Sequence, residues 1–160
     1  MKKLLPFAFL FIIACKKESV KSIPSGIVKY NIGGSSTQIV DSTSNSVARW
    51  IFQTTPSKGY ALQAYLSDPG GEVSTMISLF IGTDNLQPNQ NYSQEVTGDI
   101  LRNNTDYAST KDLDSTSIKI DISKLQNQTI SGTFSANLKN LNTNELVEVT
   151  GSFDNVKLMQ

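Results

Sequence analysis

Few side chains in this 160-residue sequence are equipped for chemistry. There is one cysteine, Cys15, and no histidine. Disulfides within the chain, Cys/His zinc sites, His-based acid–base catalysis and the common nucleophilic triads therefore lack their parts. Carboxylates remain. Asp112-Leu113-Asp114-Ser115 sets two acids two residues apart, beside Thr110 and Thr116. Calcium is held by several oxygen ligands, and such a loop supplies some of them. The EF-hand spacing and its glycine are missing, so a solvated turn is the better reading of Asp112 and Asp114. No cofactor is expected. A glycan hydrolase can run on two carboxylates alone, set roughly 5–10 Å apart across a cleft. The 14 acids are scattered over turns and polar strand faces, and no such pair stands out.

Cys15 closes a leader. Lys2 and Lys3 form a charged end, Leu4 to Ile13 an apolar run broken only by Pro6, and Ala14 a small residue before the cysteine. That order is the anatomy of a secretory signal. The run is too short for a membrane-spanning helix, which needs roughly 20 apolar residues. Ile12-Ile13-Ala14-Cys15 resembles the lipobox of bacterial lipoproteins, in which the cysteine is lipidated and becomes the mature N-terminus. The resemblance implies residues 1–14 as signal peptide, lipidation of Cys15, and anchoring to the bacterial outer membrane without crossing it. Several acyl chains, at about 0.8 kcal/mol per buried CH₂, hold firmly where one binds reversibly. Lys16-Lys17-Glu18 partly matches the charged stretch that sends Bacteroidota-type lipoproteins to the cell surface; a plain solvated tether is an equal alternative, so a periplasmic or a surface-exposed placement both stay open. Charge, serine and Pro24 make residues 15–25 a flexible tether.

About 145 residues follow the leader, the size of one domain with a real core. Two of the 14 basic residues lie in the leader, so the remainder is slightly acidic and free of charge blocks. Nucleic-acid binding, which draws on basic stripes, is disfavoured.

From Gly26 to Gln160 the apolar residues recur with the period of half-buried strands. Ile118, Ile120 and Ile122 alternate with polar neighbours, as do Ile130, Gly132, Phe134, Ala136 and Leu138, and again Val147, Val149, Gly151 and Phe153. Val156 and Leu158 break the parity of Phe153, which predicts a bulge near Asp154 or Asn155. Ala48, Trp50 and Phe52 alternate with Val47, Arg49 and Ile51, so this strand reads as substantially buried on both faces, and Trp50, sharing the parity of Ala48 and Phe52, is expected in the core rather than on a sugar-stacking platform. Met76 to Ile81 reads as a central strand, Gly26–Ile32 with Thr37–Val40 as a hairpin around Gly33-Gly34, and Asp68-Pro69-Gly70-Gly71 as a turn. Asn85 to Asp106 reads as a long loop with one short strand. The expectation is an all-β domain over residues 26–160, an antiparallel sandwich or flattened barrel of eight or nine strands.

Ile130-Ser131-Gly132-Thr133-Phe134 and Gly151-Ser152-Phe153 resemble the paired C-terminal strands of uncharacterised secreted lipoproteins of Bacteroidota. Tyr30-Asn31-Ile32-Gly33-Gly34 and Asn91-Tyr92 match that family loosely. The resemblance implies a small β-rich domain and carries no catalytic residue with it. Asp41-Ser42-Thr43 and Asp114-Ser115-Thr116 also resemble the O-glycosylation acceptor of that phylum, which would place glycans on Ser42 and Ser115. The function expected is a non-catalytic, lipid-anchored binding or accessory module for an envelope protein or glycan. The alternatives are a carboxylate-dependent glycan hydrolase or a structural subunit of an envelope assembly, the latter marked by a large apolar patch.

Overall fold

A computed structural model describes residues 26–41, 46–55, 57–67, 73–94, 96–102, 105–109 and 117–159. They form eleven strands and no helix: β1 (Ile27–Ile32), β2 (Gln38–Asp41), β3 (Ser46–Gln53), β4 (Gly59–Ser67), β5 (Val73–Ile81), β6 (Gln90–Tyr92), β7 (Val96–Arg102), β8 (Thr105–Ser109), β9 (Ser117–Gln126), β10 (Thr129–Asn140) and β11 (Leu146–Met159). The all-β expectation holds, with two more strands than the upper count. The extra strands come from the segment read as loop, where β6, β7 and the start of β8 lie.

The order β2-β1-β11-β3-β4-β5-β7-β8-β10-β9-β6, with β10 also paired to β11, closes the ladder on itself. Two layers result. One holds β3, β4, β5, β7 and β8; the other holds β2, β1, β11, β10, β9 and β6. They join at two corners. At one, Lys157–Met159 of β11 runs parallel to Arg49–Ile51 of β3. At the other, Lys139 and Asn140 of β10 pair with Ala108 and Tyr107 of β8. All remaining pairings are antiparallel.

The core between the layers is the sum of the alternating positions. Ile118, Ile120 and Ile122 of β9, Phe134, Ala136 and Leu138 of β10 and Val149 and Phe153 of β11 meet Trp50, Leu62, Ile77, Leu79 and Ile100 from the opposite layer. Each such large side chain contributes about 1.5–3 kcal/mol by leaving water. Trp50 is fully buried, edge-on to Phe153 with ring centroids 5.4 Å apart.

The bulge forms where parity predicted it. Ile130 pairs with Val156 but Gly132 with Phe153, leaving one extra residue in β11. Asn155 takes it up with φ of 49°. Ser131 fastens the bulge, donating to Asp154 Oδ1 (2.8 Å) and accepting from the Asn155 N–H (2.9 Å). The β1–β2 hairpin likewise turns at Gly33 and Gly34, both at positive φ.

Candidate functional site

The outer face of β3, β4, β5 and β7 is not the polar face that a simple sandwich presents to water. Residues opposite one another in an antiparallel ladder share a face, so register fixes what lines it. Arg49, Gln63, Ser78 and Asp99 form one row across β3, β4, β5 and β7. Val47, Tyr65, Met76 and Leu101 form the next, and Ile51, Ala61, Phe80 and Thr97 the row on the other side. A polar track thus runs between two largely apolar banks. At about 4.8 Å per strand it extends roughly 14 Å from Arg49 to Asp99. Arg49 donates from Nε and Nη2 to Gln63 Oε1 at 3.3 and 3.1 Å, placing its charge at one end of the track.

Two hollows open along this face. One, of about 400 Å³, lies over β5, β7 and β8 between Met76, Phe80, Leu101, Asp106 and Leu141. The other, of about 290 Å³, lies over β4 and β5 beside Gln63, Tyr65 and Val73. Met76, Ser78 and Asp99 line both, so the two read as one groove with Asp99 at the saddle.

Asp99 and Asp106 are diagonal neighbours, since Asp99 pairs with Ala108 and Asp106 with Leu101. Both border the larger hollow. Asp99 is open to solvent on one side. Desolvation by the surrounding walls and, secondarily, the Asp106 carboxylate push its carboxyl above the usual range, against a backbone hydrogen bond that favours the charged form. Neither carboxylate has a cationic partner among the described residues.

The residues singled out by spacing lie elsewhere. Cys15, Ser42, Asp112, Asp114 and Ser115 are outside the described residues, as are the leader, the tether and the Asp68–Gly71 turn. Among the described residues no three His, Cys, Asp or Glu side chains come together. Of the tyrosines, Tyr65 alone lines the groove: Tyr60 packs on Phe52, Tyr107 packs against the core, and Tyr92 is buried, accepting from the Gln87 N–H at 2.8 Å. Exposed Ile39, Leu66, Val73, Leu141, Leu146 and Met159 are spread over several elements.

Comparison with protein-family models, curated proteins and solved structures finds no match to this chain. The groove therefore has to be read from its own chemistry. Asp99 and Asp106 escaped the sequence reading because register, not spacing, unites them.

Proposed function

We propose that this chain is a lipid-anchored protein of the bacterial cell envelope whose β-domain is a non-catalytic binding module, holding a partner protein or glycan along the groove over β4, β5, β7 and β8. The observation that carries this reading is the polar track from Arg49 to Asp99 between apolar banks. Binding surfaces combine apolar contact area with a few placed polar groups in this manner. Half-buried Tyr65, Met76, Phe80 and Leu101 supply the area, and Arg49, Gln63, Ser78 and Asp99 the orientation. The leader ending in Cys15 supports the anchor.

The test is site-specific photocrosslinking in native membranes. A crosslinker at Thr97 on the groove is expected to give a discrete adduct, and one at exposed Ser135 on the opposite layer none. Equal adducts from both positions, or none from Thr97, would remove the groove from consideration. The anchor has its own readout: metabolic labelling with a fatty-acid analogue is expected to mark the wild-type chain and not Cys15→Ser.

One observation favours a second reading. Asp99 and Asp106 share the larger hollow, and the raised Asp99 carboxyl resembles the general acid of a glycoside hydrolase. It ranks second because the acids stand side by side on adjacent strands, not on opposing walls. Glycan cleavage abolished in both Asp99→Asn and Asp106→Asn would reverse the order.

A further inference from the structure

The groove carries opposite charges at its two ends. At the β3 end Arg49 reaches it through Gln63, whose Oε1 accepts from the guanidinium. No carboxylate pairs with Arg49 among the described residues. At the other end Asp99 and Asp106 line one hollow of about 400 Å³, and neither has a cationic partner among those residues. Register sets the span. Arg49 and Asp99 close a row across β3, β4, β5 and β7, and β8, with Asp106, lies one strand further. At about 4.8 Å per strand, the positive end stands roughly 14 to 19 Å from the negative one.

These charges decide among occupants. A neutral glycan would use neither end, and an anionic one would meet two carboxylates with like charge. For stacking, a sugar would find only Tyr65 and Phe80 among the groove's lining residues. A polyamine would suit the acids but repel Arg49.

An extended peptide answers the whole surface. It rises about 3.3 Å per residue, so roughly four to six residues carry it from one charged end to the other. Met76, Phe80, Leu101 and Tyr65 offer contact to apolar side chains. Along the track, the Ser78 hydroxyl and the Gln63 amide hydrogens, left over once Oε1 is engaged, can bond a peptide backbone. The Asp99 carboxyl is held above its ordinary range, first by desolvation and then by the Asp106 charge, and a cation beside the pair favours the charged form against both.

We propose that the groove binds an extended segment of a partner protein, with a lysine or arginine at Asp99 and Asp106, an acidic residue at Arg49 and apolar residues between them. The proposal rests on the groove being the binding surface, and it narrows the occupant from a protein or glycan to a peptide of stated charge order.

Random octapeptides displayed on phage and panned on the full chain in detergent test it. Enriched peptides are expected to carry a basic and an acidic residue about four to six positions apart, with apolar residues between, and to crosslink at Thr97. A synthetic copy is then titrated by fluorescence anisotropy. Asp99→Asn with Asp106→Asn should weaken its binding about three- to tenfold, and Arg49→Gln about two- to fivefold. Both acids are exposed, so these Asn substitutions leave the core untouched. Asp99→Lys with Asp106→Lys should reject that peptide and accept one whose basic residue is replaced by glutamate, an exchange that a merely structural role would not produce. Peptides that crosslink at Thr97 without this charge order, or that bind the Asn variants as tightly as the wild type, overturn the proposal and leave the groove standing as the binding surface. So does the absence of any peptide at Thr97 when native membranes still give an adduct there. If Thr97 captures nothing in either setting, the proposal and the groove reading fall together.

Discussion

Phe153 lies over Gly132, its cross-strand partner, and one step along the ladder Phe134 lies over Gly151 in the same way. A Cβ on Gly132 would sit 2.6 Å from the Phe153 ring and 2.1 Å from the Asp121 carbonyl oxygen; one on Gly151 would sit 2.2 Å from the Phe134 ring. The two Gly–Phe pairs form a checkerboard on the core face of β10 and β11. Each missing side chain makes room for the ring opposite, which in turn covers exposed backbone. The Ile-x-Gly-Thr-Phe and Gly-x-Phe strings are therefore one packing device written on two strands.

The device predicts coupling. Gly151→Ala should destabilise the fold by about 1–3 kcal/mol through overpacking. Combined with Phe134→Leu, which shortens the obstructing ring, the loss should fall below the sum of the single losses by at least about 0.5 kcal/mol. Urea denaturation of the four proteins in the cycle measures this. Strict additivity would mean that the Lys29 carbonyl oxygen, 2.6 Å from the same Cβ position, sets the cost instead.

Ser131 carries a separate load. Its hydroxyl serves both the Asp154 carboxylate and the Asn155 N–H in the β11 bulge. Ser131→Ala removes two bonds and is expected to cost about 1–3 kcal/mol. Asn155→Gly, at a residue with φ of 49°, should be close to neutral because glycine accepts that conformation freely. A loss under about 0.5 kcal/mol for Ser131→Ala, by urea midpoint, would show that strand register alone holds the bulge.

That bulge was legible beforehand because Val156 and Leu158 switch parity after Phe153. The strands β9, β10 and β11 were legible for the related reason that every inward position there is apolar or glycine. β7 was not. Gly98 holds an inward position because Leu79 Cδ2 and Ile118 Cδ1 already fill the space, 2.7 and 3.0 Å from where a Cβ would stand. Arg102, also inward, is charged. With two of its inward residues hydrophilic or absent, the strand shows no hydrophobic period. The same blindness hid the groove, whose rows join residues of β3, β4, β5 and β7.

Trp50 is the only tryptophan, and its indole N–H is buried without a partner among the described residues. Trp50→Ala should cost about 3–5 kcal/mol. Trp50→Phe should cost less than about 2 kcal/mol, since the ring still meets Phe153 and the desolvation penalty of the orphaned N–H disappears. In the wild type, tryptophan emission should shift to longer wavelength in one step with urea, coincident with the loss of β-sheet circular dichroism. Non-coincident transitions would separate the Trp50 environment from the rest of the core.

Asp99 gives the pH dependence a sign. Its native carboxyl titrates above the unfolded one, so between those two values the native state binds more protons. Stability contributed by this residue therefore falls as pH rises through that window, the reverse of an ion-paired carboxylate. Asp99→Asn should raise the urea midpoint at pH 7 and leave it unchanged near pH 3, where the carboxyl is protonated in both states. Solvent on its open side keeps the gain below that of a fully enclosed acid. Two causes can be separated by carboxyl NMR titration. Asp106→Asn, or added salt, should move the Asp99 titration part of the way down by removing or screening the neighbouring charge. The rest of the elevation should persist in high salt, because it comes from the walls of the groove. An Asp99 titration that returns fully to the ordinary range in salt would assign the whole effect to Asp106 and leave the groove no part in it.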